Sequence, residues 1–190
     1  MTSVRSPVPP EVLARNDRGL AGLRIAVGGL FLLFGEYKVF GRAFVWGGGF
    51  EGWIRRFLAE GEAYPWMAAV LRSFVLSHAR GIALLVAYGE CALGVSLVLG
   101  LWTRVASVCG MIYMLALLLS ANYPGPAVPL WQYFGAALDH LVLALCFAAF
   151  ALGAPEQVWS VREWWRRRAD AQSFDGSPSD EGRHATGRGD

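Results

Sequence analysis

The residues able to do chemistry are few, and they sit where water is scarce. Glu90 lies near the middle of the apolar stretch Gly81 to Leu101, Asp139 and His140 near the start of another, Phe134 to Ala154, and Glu36 and Lys38 close a first, Gly19 to Phe40. An ionisable group inside a membrane costs roughly 2.5 to 3.5 kcal/mol on insertion scales, so each of these needs a partner or a task. With Gly81 and Phe134 as outer ends and about 1.5 Å of rise per helical residue, Glu90 lies roughly 13 Å in and the Asp139–His140 pair about 8 to 9 Å. Glu36 and Lys38 lie about 3 to 6 Å from the outer end of their own stretch. Five ionisable groups from three stretches thus fall in the outer half of a bundle, and the inner half holds Arg24 and Arg104 as anchors near its boundary.

Three chemistries fit that cluster. Lys38 can pair with Glu90 or Asp139 as a buried structural salt bridge. Alternatively, Lys38, His140 and one carboxylate floor a pocket for a quinone-like ligand or redox substrate. A quinone carbonyl needs a donor and, on reduction, a proton source, and a carboxyl shielded from water holds its proton more tightly. The third option is a proton or solute path. A bis-histidine haem is disfavoured, because His78 falls at a loop end and His184 in the tail, and no metal-ligand spacing is present. Cys91, Cys109 and Cys146 are far apart inside apolar runs and read as small buried hydrophobes.

The elements that must position these groups follow from composition. Of 190 residues 55% are hydrophobic and 17% charged, against about 25% charged in an ordinary soluble domain. The net charge of +2 is unevenly spread, since residues 81 to 154 hold only Glu90, Arg104 and Asp139. This excludes a disordered chain, a coiled coil and a nucleic-acid binder with a basic face. The expected fold is all-α, a transmembrane four-helix bundle with spans at about 19–40, 81–101, 105–121 and 134–154. All eight tryptophans fall outside the span interiors, as interfacial belts do. Gly28, Gly35 and Gly94 are expected to let the helices approach closely.

Segment 41–80 reads as two short amphipathic helices, Trp53-Ile54-Phe57-Leu58 and, after Pro65, Trp66-Met67-Val70-Leu71-Phe74, with Gly47 to Gly49 as a flexible joint before them. Residues 155–168 read as a basic interfacial helix facing anionic lipid, residues 169–190 as a disordered tail and residues 1–18 as a polar cytoplasmic tail. No small-residue cleavage site follows the first apolar run, so the first span is expected to be retained. Four Lys/Arg before and including Arg24 and six after Pro155 put both termini inside, with the uncharged loop NYPGPAVPLWQY outside. Arg42, Arg55, Arg56, Arg72 and Arg80 in the long outer loop run against that rule, which long loops obey poorly.

Arg24-x3-Gly28-x2-Phe31-x3-Gly35-x2-Lys38, followed by Glu90-x3-Gly94-x5-Gly100-x2-Thr103-Arg104, resembles the DoxX family of four-helix membrane proteins over roughly residues 20 to 154. That family is similar to the small subunit of thiosulfate:quinone oxidoreductase and to membrane partners of secreted antioxidant enzymes. The resemblance implies a multi-pass protein of a prokaryotic cytoplasmic membrane that is a subunit or accessory of a quinone- or thiol-linked redox system. At most it would be a subunit of a quinone-linked oxidoreductase, with the lipid bilayer, a partner redox protein and a second copy of the chain as partners, and no nucleic acid. A non-catalytic scaffold docking a partner enzyme through the outer loop is the alternative. A small transporter or channel subunit is third, disfavoured by the lack of an internal repeat or broken helix.

Overall fold

The computed structural model describes residues 10–134, 139–153 and 158–175. Among them there is helix and no strand: α1 (Pro10–Phe40), α2 (Arg42–Val45), α3 (Gly49–Ala59), α4 (Pro65–Val70), α5 (Ala79–Leu99), α6 (Thr103–Ala121), α7 (Asp139–Leu152) and α8 (Val161–Asp175). A π turn at Leu71–Val75 and a 3-10 turn at Leu76–His78 join α4 to α5, so that Pro65 to Leu99 runs as one rod. Three helical stretches are long and apolar enough to cross a membrane: Glu11–Phe40, Pro65–Leu99 and Thr103–Ala121. The fourth apolar helix, α7, spans 14 residues, and the ends of the stretch expected at about 134–154 lie outside the described residues.

Glycine decides how closely the antiparallel helices α1 and α5 approach. A methyl group on Gly35 would sit 2.7 Å from Cys91 Sγ and 2.9 Å from its backbone N, and one on Gly94 would sit 2.8 Å from Leu32 N and 2.9 Å from Gly28 O. These distances are inside van der Waals contact, so the two backbones touch without intervening side chains. Helices α6 and α7 pair similarly, with the Phe147 ring lying over Gly110. Phe147 is fully buried, edge-on to Phe31 with centroids 5.2 Å apart, and forms the inner core with Leu97, Met114 and Phe150. Leu33, Leu85, Val105 and Leu145 point outward and are exposed, as a lipid-facing surface requires.

Where α1 ends, α2 and α3 fold over the top of α5 as a cap. Phe50 and Ile54, one helical turn apart on α3, bury against Phe44, Leu71, Ala83 and Ala87. The three glycines ahead of α3 form a tight corner and not the expected flexible joint. Gly48 holds φ at +75°, and a Cβ on Gly47 or Gly49 would meet the Ala43 carbonyl oxygen at 2.9 Å. The cap is bonded to the end of α6 through Tyr64 N–H to Leu119 O (3.0 Å) and Tyr123 N–H to Glu62 O (2.7 Å). Tyr64 Oη donates to Tyr133 O at 2.8 Å. Burial first, then the phenols of Tyr133 and Tyr123, hold the Tyr64 hydroxyl above the usual phenol range. Two arginines of segment 41–80 also find local partners, Arg55 on Glu51 at 2.6 Å and Arg80 over the Trp46 ring at 5.0 Å.

At the opposite end of the bundle, Gly100 at φ +69° makes the turn from α5 to α6, and Trp102 follows at φ +48°. Arg24 was expected to snorkel from the start of a span. Helix α1 instead begins at Pro10, which puts Arg24 mid-helix and fully buried, with Nη2 donating to Trp159 O at 2.9 Å. Ser160 and Glu163 then start α8 as a capping box. Ser160 Oγ accepts the Glu163 N–H at 3.1 Å, and Glu163 Oε2 accepts the Trp159 N–H at 2.8 Å. The hydrogen bond from Arg167 to Glu163, reinforced by the Trp159 amide, holds the Glu163 carboxyl below its usual range. Helix α8 continues through Asp175, past the expected end at 168, and residues 176–190 of the expected disordered tail lie outside the described residues.

Candidate functional site

The polar centre is one carboxylate held by three helices. Glu90 on α5 is 5% exposed and Lys38 on α1 is 8% exposed. Lys38 Nζ donates to Glu90 Oε1 at 2.5 Å, and Tyr113 Oη, from α6, donates to the same oxygen at 2.6 Å. The other oxygen, Oε2, is buried and has no hydrogen-bond partner among the described residues. The Lys38 ammonium also lies 5.3 Å from the centroid of the Phe44 ring, so the cap supplies one side of its environment.

Sequence reasoning placed Lys38 and Glu90 at different depths, yet they are bonded. The reason is the rod Pro65–Leu99, which rises past the end of α1 into the cap. Ala79 is therefore not level with Phe40. The glycine contacts set a register in which Gly35 opposes Cys91 and Gly28 opposes Leu97 and Val98, and this brings Lys38 alongside Glu90.

A cavity of about 910 Å³ opens beside the pair, enclosed by α1, α3, α5, α6 and α7. Most of its wall is apolar and aromatic, including Phe31, Phe44, Trp53 and Phe57. Lys38, Glu90 and Tyr113 form one polar patch, and Asn122, Asp139 and His140 form another. His140 Nδ1 lies 2.9 Å from Asn122 Oδ1 and 3.1 Å from Asp139 Oδ1. Two oxygen acceptors on one ring nitrogen assign the proton to Nδ1, which leaves Nε2 of the neutral ring as an acceptor. Asp139 Oδ1 also accepts the His140 backbone N–H at 2.7 Å.

Of the five residues expected to converge, Lys38, Glu90, Asp139 and His140 line this cavity. Glu36 does not: it is exposed, because two residues along a helix from Lys38 is roughly 200° around it. Arg104 is exposed beside the Gly100 turn, and Gly28, Gly35 and Gly94 serve helix contact. Tyr113, Asn122 and Phe44 were not anticipated. Tyr113 carried a signal, a phenol inside a span otherwise free of ionisable groups. Among the described residues no three His, Cys, Asp or Glu side chains cluster closely enough to hold a metal ion.

Long apolar helices packed through glycine, beside a lipophilic cavity with a buried Lys–Glu–Tyr cluster, point to an integral membrane protein. The DoxX family model matches residues 19–122, more than half of the 190, and the chain belongs to the DoxX family. Membership makes it a membrane protein of a family associated with redox systems. The match is shorter than the resemblance over roughly 20 to 154, and it takes in Lys38, Glu90 and Tyr113 but leaves Asp139 and His140 outside. No curated protein and no solved structure gives a match.

Proposed function

We propose that the chain is a membrane subunit or accessory of a quinone- or thiol-linked redox system and that its large cavity takes the head group of a quinone. The observation that carries this reading is a cavity of about 910 Å³ whose mostly apolar wall includes Lys38, Tyr113 and the buried carboxylate Glu90. Small-molecule sites run from about 300 to 1,000 Å³ and combine an apolar lining with a few polar groups. A quinone head is flat and apolar on its faces and accepts hydrogen bonds at its two carbonyls. The aromatic walls suit the faces, and Lys38, with one of its three ammonium protons directed at Glu90 Oε1, has others for a carbonyl. When bound, the quinone supplies an acceptor for two electrons and two protons. The electrons come from a partner redox protein, whereas this chain's residues handle protons. Lys38 is placed to give one proton at a carbonyl, with Glu90 holding the charge balance, and His140 is placed to relay the second from water at the other end of the cavity.

In this reading α7 with its flanking residues completes a fourth span, and both termini face the cytoplasm of a prokaryotic cell. The cavity then lies towards the outer side of the cytoplasmic membrane. The basic residues near both ends and the uncharged 122–133 loop support that orientation. A cysteine placed between residues 124 and 130, in a variant lacking the three native cysteines, is expected to be labelled from outside; labelling only from the cytoplasm refutes the orientation. A second reading, a non-catalytic scaffold that docks a partner enzyme on the cap, is favoured by the exposed side chains of Trp53, Trp66 and Phe74. Glu90→Gln separates the two. Loss of quinone binding and of quinone-dependent turnover from Glu90→Gln protein that keeps wild-type helix content and still retains the partner supports the pocket, whereas unchanged binding and turnover with the partner still retained leaves the scaffold. The direct measurement is the quinone content of protein purified in mild detergent, and protein that repeatedly purifies without quinone and fails to bind it on addition defeats the leading reading.

A further inference from the structure

A second cavity, of about 420 Å³, lies between α5 and α6 on the face where Leu85, Trp102 and Val105 are exposed. Its walls are hydrocarbon apart from Cys109, Ser96, the Trp102 indole and two groups that it shares with the larger cavity, Glu90 and Tyr113. Val86 is the third shared residue. The hydrogen bond from Tyr113 Oη to Glu90 therefore stands where the two cavities adjoin.

We propose that this groove holds the prenyl tail of a quinone whose head occupies the larger cavity, with the Glu90–Tyr113 pair as the threshold between them. The inference rests on the head-site reading above and adds where the ligand enters and which part of it is recognised. A lipid-soluble quinone carries a branched hydrocarbon chain that must leave the head site through a wall of helices. The α1–α5 seam is closed by backbone contact at Gly28, Gly35 and Gly94, and the α6–α7 seam is closed by Phe147 over Gly110. The larger cavity also reaches the exposed α1 side chains Leu33, Phe34 and Tyr37, but the groove between α5 and α6 is the way out whose wall is almost wholly hydrocarbon. Gly89 keeps it open. No atom lies within 4 Å of the position its Cβ would take, although Gly89 lines the groove. A wall of hydrocarbon that ends at the Glu90–Tyr113 pair matches an apolar chain that ends in a polar ring.

The test uses the full chain in nanodiscs and two benzoquinones with the same ring, one bearing a long prenyl chain and the other a methyl group in its place. Gly89→Leu and Cys109→Trp fill the groove from opposite walls; Gly29→Leu, where a Cβ also meets no atom within 4 Å and neither cavity is lined, is the control. The wild type is expected to prefer the prenyl quinone. Both groove variants are expected to weaken it at least about tenfold, since displacing even two methylenes from an apolar site has that effect. Methyl-quinone affinity stays within about twofold in every variant. Equal binding of the two quinones by the wild type overturns the tail site. So does wild-type prenyl affinity in both groove variants, and in either case methyl-quinone binding leaves the head site standing. If the wild type binds neither quinone, both readings fall. Should Gly89→Leu not fold, Cys109→Trp decides alone. A dimer that Gly89→Leu splits, with the tail preference intact, assigns the groove to a second copy and overturns the proposal.

Discussion

Neutralising one member of the Lys38–Glu90 pair is expected to destabilise the protein more than neutralising both. Lys38→Met removes one of the two donors to Glu90 Oε1 and leaves a carboxylate that is 5% exposed, with Oε2 already lacking a partner among the described residues. Breaking a buried pair in this way costs about 3 to 5 kcal/mol, because the remaining charge has neither water nor a counter-ion. Glu90→Gln strands the ammonium of Lys38 and falls in the same range. In the double variant both side chains are neutral, the new amide oxygen still accepts the Tyr113 hydroxyl and the methionine fills the lysine stem's volume. Stability therefore returns to within about 1 to 2 kcal/mol of the wild type. Tyr113→Phe, which removes one hydrogen bond to a charged group, costs about 1.5 to 3 kcal/mol. The assay is reversible unfolding in mixed micelles, titrated with a denaturing detergent and followed by tryptophan fluorescence. Single-variant losses below about 1 kcal/mol, the range of a solvated pair, or a double-variant loss equal to the sum of the singles, refute both the burial and the coupling of the pair.

Gly94→Ala is expected to force α1 and α5 apart and cost about 1 to 3 kcal/mol, as overpacking does, because its methyl would sit 2.8 Å from Leu32 N. Gly29→Ala, which meets nothing within 4 Å, should instead gain up to about 1 kcal/mol of helix propensity; the same unfolding titration compares them. Arg24→Met removes the hydrogen bond to the Trp159 carbonyl, so amide exchange from Trp159 into the first turns of α8 is expected to accelerate while α6 stays protected. For Tyr64 the folded state favours the neutral phenol. Its contribution is therefore complete below the unfolded value near pH 10 and is lost as pH rises through the raised folded value. A phenolate absorbance titration should show a late-ionising component that Tyr64→Phe removes.

Periodicity and hydropathy made the membrane helices legible because lipid demands long apolar segments, and the chain meets that demand residue by residue. Lys38 with Glu90 was legible as one of two pairings, since a buried lysine needs an acid and only Glu90 and Asp139 were in reach. What decided between them was register, and register is a property of two helices together: Gly35 and Gly94 were visible, but not that they oppose Cys91 and Leu32. Relative depth was misread because Pro65 to Leu99 is continuous, and a π turn followed by a 3-10 turn is not written in hydropathy. Arg24 misled for a related reason. Its partner is a backbone carbonyl more than a hundred residues away, and backbone acceptors leave no mark on residue type. The fourth stretch gave up less still, since Asp139 and His140 were visible but the second partner of His140, Asn122, sits in a loop, where a polar residue is unremarked.

The Lys38–Glu90 contact also has a temporal side. The two residues are 52 positions apart, so during synthesis the lysine enters the membrane region well before its counter-charge exists. Until the α5 rod arrives, α1 carries an uncompensated ammonium near its C-terminal end, and when Glu90 arrives alone it is equally unwelcome in hydrocarbon. Each charge weakens the insertion of its own helix, and only the closed hairpin cancels both. Assembly of α1 with α5 is thus coupled to completion of membrane insertion.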